Sequence, residues 1–415
     1  MRTRDKIIRL PTAYKAVETQ KWRSFIFAIL VLALSCRKPY EPKAIVEANS
    51  TPLLVVEGFI NSGNDSTIIK LNRTVKLSGS TSVNPELGAT VTIEGDDNSS
   101  RQLTTEPRGI YVSPGLNLDP SRNYRLKIRT SNGKEYASDF VPVLVAPAID
   151  SLSYKVKSDG VDIDINTHDT KNATRYYRWD YSETWVFTSA FQSLYKSNGD
   201  TVLRRDLVND QIYTCWQTEN SSTIVLGSSA KLSQDVIADQ PVTFVSRHSI
   251  KLQHKYSILV HQYALTEKAY DFWQNLKKNT EQLGGIFDAQ PSQINGNIHC
   301  TSDPSEPVIG FISIGTATEK RIFVDQRNLP AWLENFNDGC IASPYLYEFK
   351  DTNSGAIVNQ VDQYINYNKA TLGPIIPIEG IQPPGAPKPL GYMGSSPACV
   401  DCTLRGTNKQ PAFWQ

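Results

Sequence analysis

Apolar side chains recur at every second position through most of this chain, the period of a strand with one wet face. Residues 89–94 set Val91 and Ile93 against Thr90 and Thr92, and residues 123–130 repeat the alternation through Tyr124, Leu126 and Ile128. Two further runs, 53–57 and 66–71, are separated by Asn61-Ser62-Gly63-Asn64-Asp65, whose polar, glycine-containing chemistry predicts a hairpin loop. Ser131-Asn132-Gly133-Lys134 then turns the chain into residues 136–145. Strands spaced at about ten residues with no helical period predict an N-terminal β-sandwich of the immunoglobulin or transthyretin type over residues 51–146.

A second strand series starts after Ala146-Pro147. Residues 160–165 alternate, residues 175–187 place Tyr177, Trp179 and Tyr181 on one face, and residues 223–226, 240–244 and 256–264 continue the pattern. Residues 189–208 are polar and aperiodic, as expected of an insertion or long loop. At Thr266 the period changes: Ala269, Phe272, Trp273, Leu276 and Thr280 fall at helical spacing, and Gly284-Gly285 closes the segment. This predicts one amphipathic helix over 266–283, its stripe laid on an open face or end of the second sandwich. Strand character returns at 308–315 and 321–324, so a second, sandwich-like β domain spans 147–343. Residues 344–415, rich in proline and glycine, are expected to form a tail pinned by a disulfide rather than by a core. The predicted fold class is therefore mainly β.

One segment fits neither period. Residues 25–36 are an apolar run ending on Cys36, with Lys21 and Arg23 upstream and Ala33-Leu34-Ser35 just before the thiol. That order of parts predicts a bacterial lipoprotein signal over 1–36, followed by a linker over 37–50. A spanning helix needs roughly 20 apolar residues, so this shorter run should anchor the chain rather than cross the bilayer. The expectation is a lipidated Cys36, membrane lipid as a partner, and a body at the outer membrane, on its periplasmic face or at the cell surface.

Charge and cysteine content narrow the partners. With 43 basic and 42 acidic residues the formal charge is +1, which supplies no long-range field for nucleic acid, and no such partner is expected. Beyond Cys36 stand Cys215, Cys300, Cys340, Cys399 and Cys402, all disulfide candidates in an oxidising compartment. Five is odd, so at most two bridges form and one thiol remains. Cys399-Val400-Asp401-Cys402 has the spacing of a zinc or redox pair, but there is no second such pair, and His299 beside Cys300 is the one adjacent histidine. Structural disulfides are expected, with no metal and no cofactor.

No catalytic constellation is predicted. His168, His248, His254, His261 and His299 stand outside any HExxH, GxSxG or phosphate-binding glycine pattern. Asp162, Asp164, Asn166 and Asp169 imitate part of a calcium loop, yet the glycine that loop requires is missing, and alternation with Val161, Ile163 and Ile165 makes the acids the wet face of a strand. Tyr177, Trp179 and Tyr181, with Trp185 beyond, have the chemistry of a sugar-stacking platform, but an inward Trp flanked by aromatics is the usual core of a central sandwich strand. Trp216 and Trp414 read as packing against disulfides.

Four long segments carry a family resemblance: LLVVEGFI at 53–60, CWQTENSSTIVLGSSAKLSQDVI at 215–237, LTEKAYDFWQNLKKNTEQLGGIFDAQPSQINGNIHC at 265–300, and CVDCTLRGTNKQPAFW at 399–414. Together they resemble the lipoproteins of the "domain of unknown function 4249" family, over nearly the whole mature chain. The resemblance implies an accessory role in surface uptake beside TonB-dependent outer-membrane receptors, and, with no catalytic constellation among the residues, the expectation is a binding or accessory protein without catalysis. The alternative is a glycan- or peptide-binding module or hydrolase of the cell envelope.

Overall fold

Alternation in the sequence becomes pleated sheet around two separate apolar cores. The computed structural model describes residues 52–75, 83–281, 296–332, 334, 336–366 and 374–414, and these are mainly β. Residues 25–36, with Cys36, lie outside the described residues, as does Gly284-Gly285. From Leu53 onward the chain forms one compact unit.

Leu54–Asn61 pairs antiparallel with Thr67–Arg73, Val56 opposite Leu71 and Phe59 opposite Ile68, and Ile110–Ser113 continues that sheet. Thr90–Gly95 pairs with Asn123–Arg129, which pairs with Glu135–Ser138. Val141–Val145 links the two groups, pairing with Asn123 and Tyr124 on one side and with residues 314–316 on the other. Leu54, Ile69, Val91, Ile93, Leu126 and Ile128 meet inside. This core also takes Ile298, Cys300, Val308, Ile312 and Ile314, so it reaches well beyond the 51–146 stretch that local pattern marks out.

The second core lies between a three-stranded sheet, Ile149–Val156, Gly160–Asp169 and Asp235–Ser246, and the long strands Tyr176–Thr188 and Lys255–Leu265. Val161, Ile163 and Ile165 face Trp179, Trp185, Tyr256, Ile258 and Val260. One strand serves both cores. Ser313–Asp325 runs parallel to Leu54–Asn61 at its start and antiparallel to Lys255–Leu265 along the rest. At Gly315 a Cβ would meet the Leu144 carbonyl oxygen at 2.0 Å, which is why glycine stands where three strands crowd together.

The helix forms as its period predicts, over Glu267–Glu281, with Thr266 Oγ1 accepting the Ala269 amide at 3.2 Å as an N-terminal cap. Ala269 and Phe272 pack on Leu265 and Phe311. No described helix is long and apolar enough to cross a membrane.

Two expectations are corrected in the C-terminal part. Residues 189–208 are no plain loop: Tyr195–Ser197 and Val202–Arg204 form a hairpin whose Tyr195 and Val202 pack on Val361, Ile365 and Tyr392. Nor is the end of the chain held by disulfide alone. Ser343–Leu346, Gly391–Ser395 and Ile376–Ile381 make a small sheet, and Ile378, Cys399 and Val400 form a further apolar cluster with Phe191 and Met393 against it. These cores draw single residues from distant segments, so no local period announces them.

Candidate functional site

The aromatic stripe is core. Tyr177, Trp179, Tyr181 and Trp185 are all buried, Trp179 Nε1 donates to Gln262 Oε1 at 2.9 Å, and the Tyr177 hydroxyl donates to Asp235. The acids of the calcium-like run are dispersed onto separate partners. Lys157 pairs with Asp162, Lys155 with Asp164 at 3.1 Å, Asn166 bonds Ser151 and accepts from the Asp239 amide, and Asp169 caps a turn through the amides of Lys171, Ala173 and Thr174. Asp164 departs from the expected wet face: it is buried beneath the Lys155 side chain.

Two disulfides form, Cys215–Cys402 and Cys340–Cys399. The CxxC pair is thus divided between two bridges rather than acting as one dithiol. Cys300, a disulfide candidate by sequence, is not bridged; it is a buried free thiol in the first core, where its strand pairs with Glu135–Ser138.

Four histidines face carboxylates. His168 meets Asp150 at 2.8 Å, His248 meets Glu334 at 2.6 Å, and His299 meets Asp139 at 3.3 Å, all near the surface. His254 instead contacts the Thr188 hydroxyl at 3.2 Å, and burial lowers its pKa. His261 has the most built surroundings. Alternation on three adjacent strands sends Asp180, His261 and Glu319 to the face of the sheet opposite the second core, and the registers align them in one row. Nδ1 lies 3.0 Å from Asp180 Oδ1 and Nε2 lies 3.5 Å from Glu319 Oε2. The hydrogen bond to Asp180 raises the imidazole pKa against the opposing effect of burial, and both carboxylate charges add to it.

The row sits between two covers. On one side Arg178, ion-paired to Asp180 at 3.3 Å, is stacked between Tyr263 and the helix residue Trp273, at 4.6 and 4.4 Å from their ring centroids. On the other, the Arg321 guanidinium lies 3.7 Å over Phe413 and Phe323 meets Trp414 edge-on. With both ring nitrogens aimed at carboxylates, His261 is arranged as a charged imidazolium that ties three strands, not as a base with a free lone pair. The sequence does not bring this row together, because pairing register is not written in any one strand; the outward parity of Asp180, His261 and Glu319 is its one legible sign.

Two other charged groups are buried and structural. Glu183 accepts from the Tyr256 hydroxyl and from Lys251, both at 2.7 Å, while Lys251 lies 4.9 Å over Trp185. Glu306 accepts from the Tyr136 hydroxyl at 2.7 Å and from Lys134, with Arg73 at 3.5 Å. An open recess of about 520 Å³ also lies at one end of the first core, beside Glu94, Arg125 and Phe140, residues to which no sequence pattern pointed.

The family described as "Domain of unknown function (DUF4249)" matches residues 37–321. The chain belongs to the DUF4249 family. No curated protein matches this DUF4249 chain. Among solved structures it is similar at 8% identity to a Salmonella alpha-2-macroglobulin mutant, covering 74% of this chain and 16% of that one at a TM-score of 0.17. It is also similar at 14% identity to chitinase ChiA74 from Bacillus thuringiensis, covering 48% and 29% at a TM-score of 0.15. The DUF4249 chain thus spans less than a third of either protein's length. The family match ends within Ser313–Asp325, so it takes in the first core, the second core apart from Val324 and Cys402, and the Asp180–His261–Glu319 row. Cys340, Cys399 and Cys402 lie beyond it.

Proposed function

We propose that this protein is a lipid-anchored accessory or binding component of the outer membrane, without catalysis of its own, working beside a TonB-dependent receptor or another envelope protein. The observation that carries the reading is the apolar run ending on Cys36, placed a short linker ahead of a body that is cross-linked by Cys215–Cys402 and Cys340–Cys399. Disulfides of this kind belong to oxidising compartments. Acyl chains on Cys36 would contribute about 0.8 kcal/mol per buried methylene, so more than one chain holds the body at the bilayer durably. Anchoring raises the effective concentration of any partner in the same membrane. His261, with both ring nitrogens on carboxylates, has no free lone pair for general-base work, which supports the reading without catalysis. The finer architecture belongs to the same proposal: an immunoglobulin- or transthyretin-like sandwich followed by a second sandwich, a reading supported by the two separate cores.

The test is mass spectrometry of the mature N-terminal peptide from fractionated cells, followed by crosslinking in native membranes. Acylated Cys36 in the outer-membrane fraction and recovery of a receptor are the expected results. An unmodified Cys36 on freely soluble protein overturns the anchor, and recovery of no envelope protein above background overturns the accessory role.

A further inference from the structure

We propose that the recess at the end of the Thr90–Gly95 and Ser100–Gln102 hairpin binds a neutral saccharide. Its volume of about 520 Å³ falls within the ~300–1,000 Å³ of small-molecule sites. The inference goes beyond the accessory reading and does not depend on Cys36.

A pre-formed stack makes its floor. Phe140, in the link between Glu135–Ser138 and Val141–Val145, stays 45% exposed, and the Arg125 guanidinium lies 4.8 Å over its ring. Arg125 in turn gives two hydrogen bonds to Glu94 Oε2, at 3.0 and 2.7 Å. Such a fork is rigid and charge-assisted, so the aromatic ring, the cation and the carboxylate are held in place before any ligand arrives.

The charges of the recess are already answered. Glu94 faces both Arg125 and Lys127, the latter at 3.7 Å, and Asp96 faces Arg122 at 3.7 Å. An anion or a metal ion would have to break one of these pairs. What stays uncommitted is neutral: the Asn98 side-chain carboxamide and the Ser100 hydroxyl make no hydrogen bond among the described residues. The turn presenting them is fixed by the Asn98 amide on the Gly95 carbonyl at 3.0 Å and by the Ser99 amide on Asp97 Oδ1 at 2.9 Å. Neutral donors and acceptors beside a half-exposed aromatic ring, in an open and wet setting, suit a ligand whose rim is hydroxyl and whose faces are C–H. A pyranose ring has that chemistry, whereas an apolar ligand gains little here and leaves the polar rim unpaired.

The full chain in detergent is examined by saturation-transfer NMR with maltose, cellobiose and N,N′-diacetylchitobiose as separate probes, and 3′-sialyllactose as the anionic one. Transfer to the ring protons of at least one neutral probe is expected, weakened about tenfold in affinity by Phe140→Ala, which is 1.4 kcal/mol. Asn98→Gly removes the amide while keeping the positive φ of 68° accessible, and should weaken the same probe. Ser100→Trp fills the recess and should abolish transfer; it decides the matter if Phe140→Ala does not fold. The proposal is overturned by no transfer to any neutral probe, by transfer indifferent to the recess variants, or by stronger transfer to 3′-sialyllactose than to the neutral probes. None of these outcomes alters the acylation or crosslinking results, so the two readings stand or fall separately.

Discussion

The core around Leu54, Ile69 and Ile128 is finished by chain that arrives much later, at Ile298, Val308, Ile312 and Ile314. The core around Trp179, Ile163 and Tyr256 is built chiefly from strands between Ile149 and Leu265, takes Val324 from the later strand, and is joined covalently to the C-terminal segment through Cys215–Cys402. The first contains an unbridged cysteine, Cys300, and no cross-link; its late segments are held by backbone pairing, apolar burial and the Glu306 carboxylate. Closure by topology and closure by covalent bond therefore coexist in one compact unit. They should fail under different insults.

The largest effects come from emptying either core. Ile312→Ala removes a fully buried side chain supplied by the late segment, and Trp179→Ala removes one supplied by the local strands. Each should cost about 2–5 kcal/mol. The informative readout is amide exchange. Ile312→Ala should expose the amides of Leu54–Asn61, because that strand pairs in parallel with residues 313–315. Unchanged protection there would show that the first core closes without the late segment.

Next is the covalent contribution. Replacing Cys215 and Cys402 together by alanine opens a link between residues 187 apart in sequence, and should cost about 2–5 kcal/mol. Thr214–Asn220 and the turn at Cys402–Leu404 should loosen while Leu54–Asn61 keeps its protection. Equal loosening of both regions would erase the distinction.

What the sequence made legible follows the same division. Strands whose apolar residues alternate locally, such as Thr90–Gly95 and Asn123–Arg129, and the helix at Glu267–Glu281 were visible because the period lies within the element. The late closure of the first core was not, since 308–315 and 321–324 read as two separate runs, and nothing in them says that they belong to one strand, Ser313–Asp325, whose first residues join a different sheet from its last. The small C-terminal cores were hidden for a related reason: Tyr195, Val361 and Tyr392 each look isolated until the chain brings them together. The Asp180–His261–Glu319 row required a register across three strands. The Glu94–Arg125–Phe140 recess joins neighbouring strands with a loop residue that has no pattern at all.

A smaller effect isolates the polar part of the first closure. Glu306→Gln keeps the size of the side chain but removes the charge that faces Lys134 and Arg73 and accepts from Tyr136. A loss of about 1–3 kcal/mol at neutral pH is expected, from weakened bonds in a buried site. Burial pushes the Glu306 pKa up, but the hydrogen bonds from Lys134 and Tyr136 together with nearby charge hold it below the usual 4.5. A depressed carboxylate stabilises the fold above 4.5 and loses that contribution as pH falls through the folded value. Denaturant midpoints across that acid range should slope in the wild type and flatten in Glu306→Gln; parallel curves would remove Glu306 from the closure.

The smallest expected effect tests the second region and runs the other way in pH. His261 is faced by Asp180 and Glu319, with Arg178, Tyr263 and Arg321 around it, and its pKa is raised above 6.5 chiefly by the hydrogen bond to Asp180. A raised base contributes stability that is fully present below 6.5 and fades as pH climbs through the folded value. Because the row is partly solvated, the contribution should be about 1 kcal/mol or less. His261→Gln should therefore narrow the stability difference between about pH 5 and about pH 9, while leaving the acid slope owed to Glu306 untouched. An NMR titration of the His261 ring proton gives the direct reading, since a midpoint below 6.5 would mean that desolvation prevails over the two carboxylates and that the row does not tie the three strands by charge.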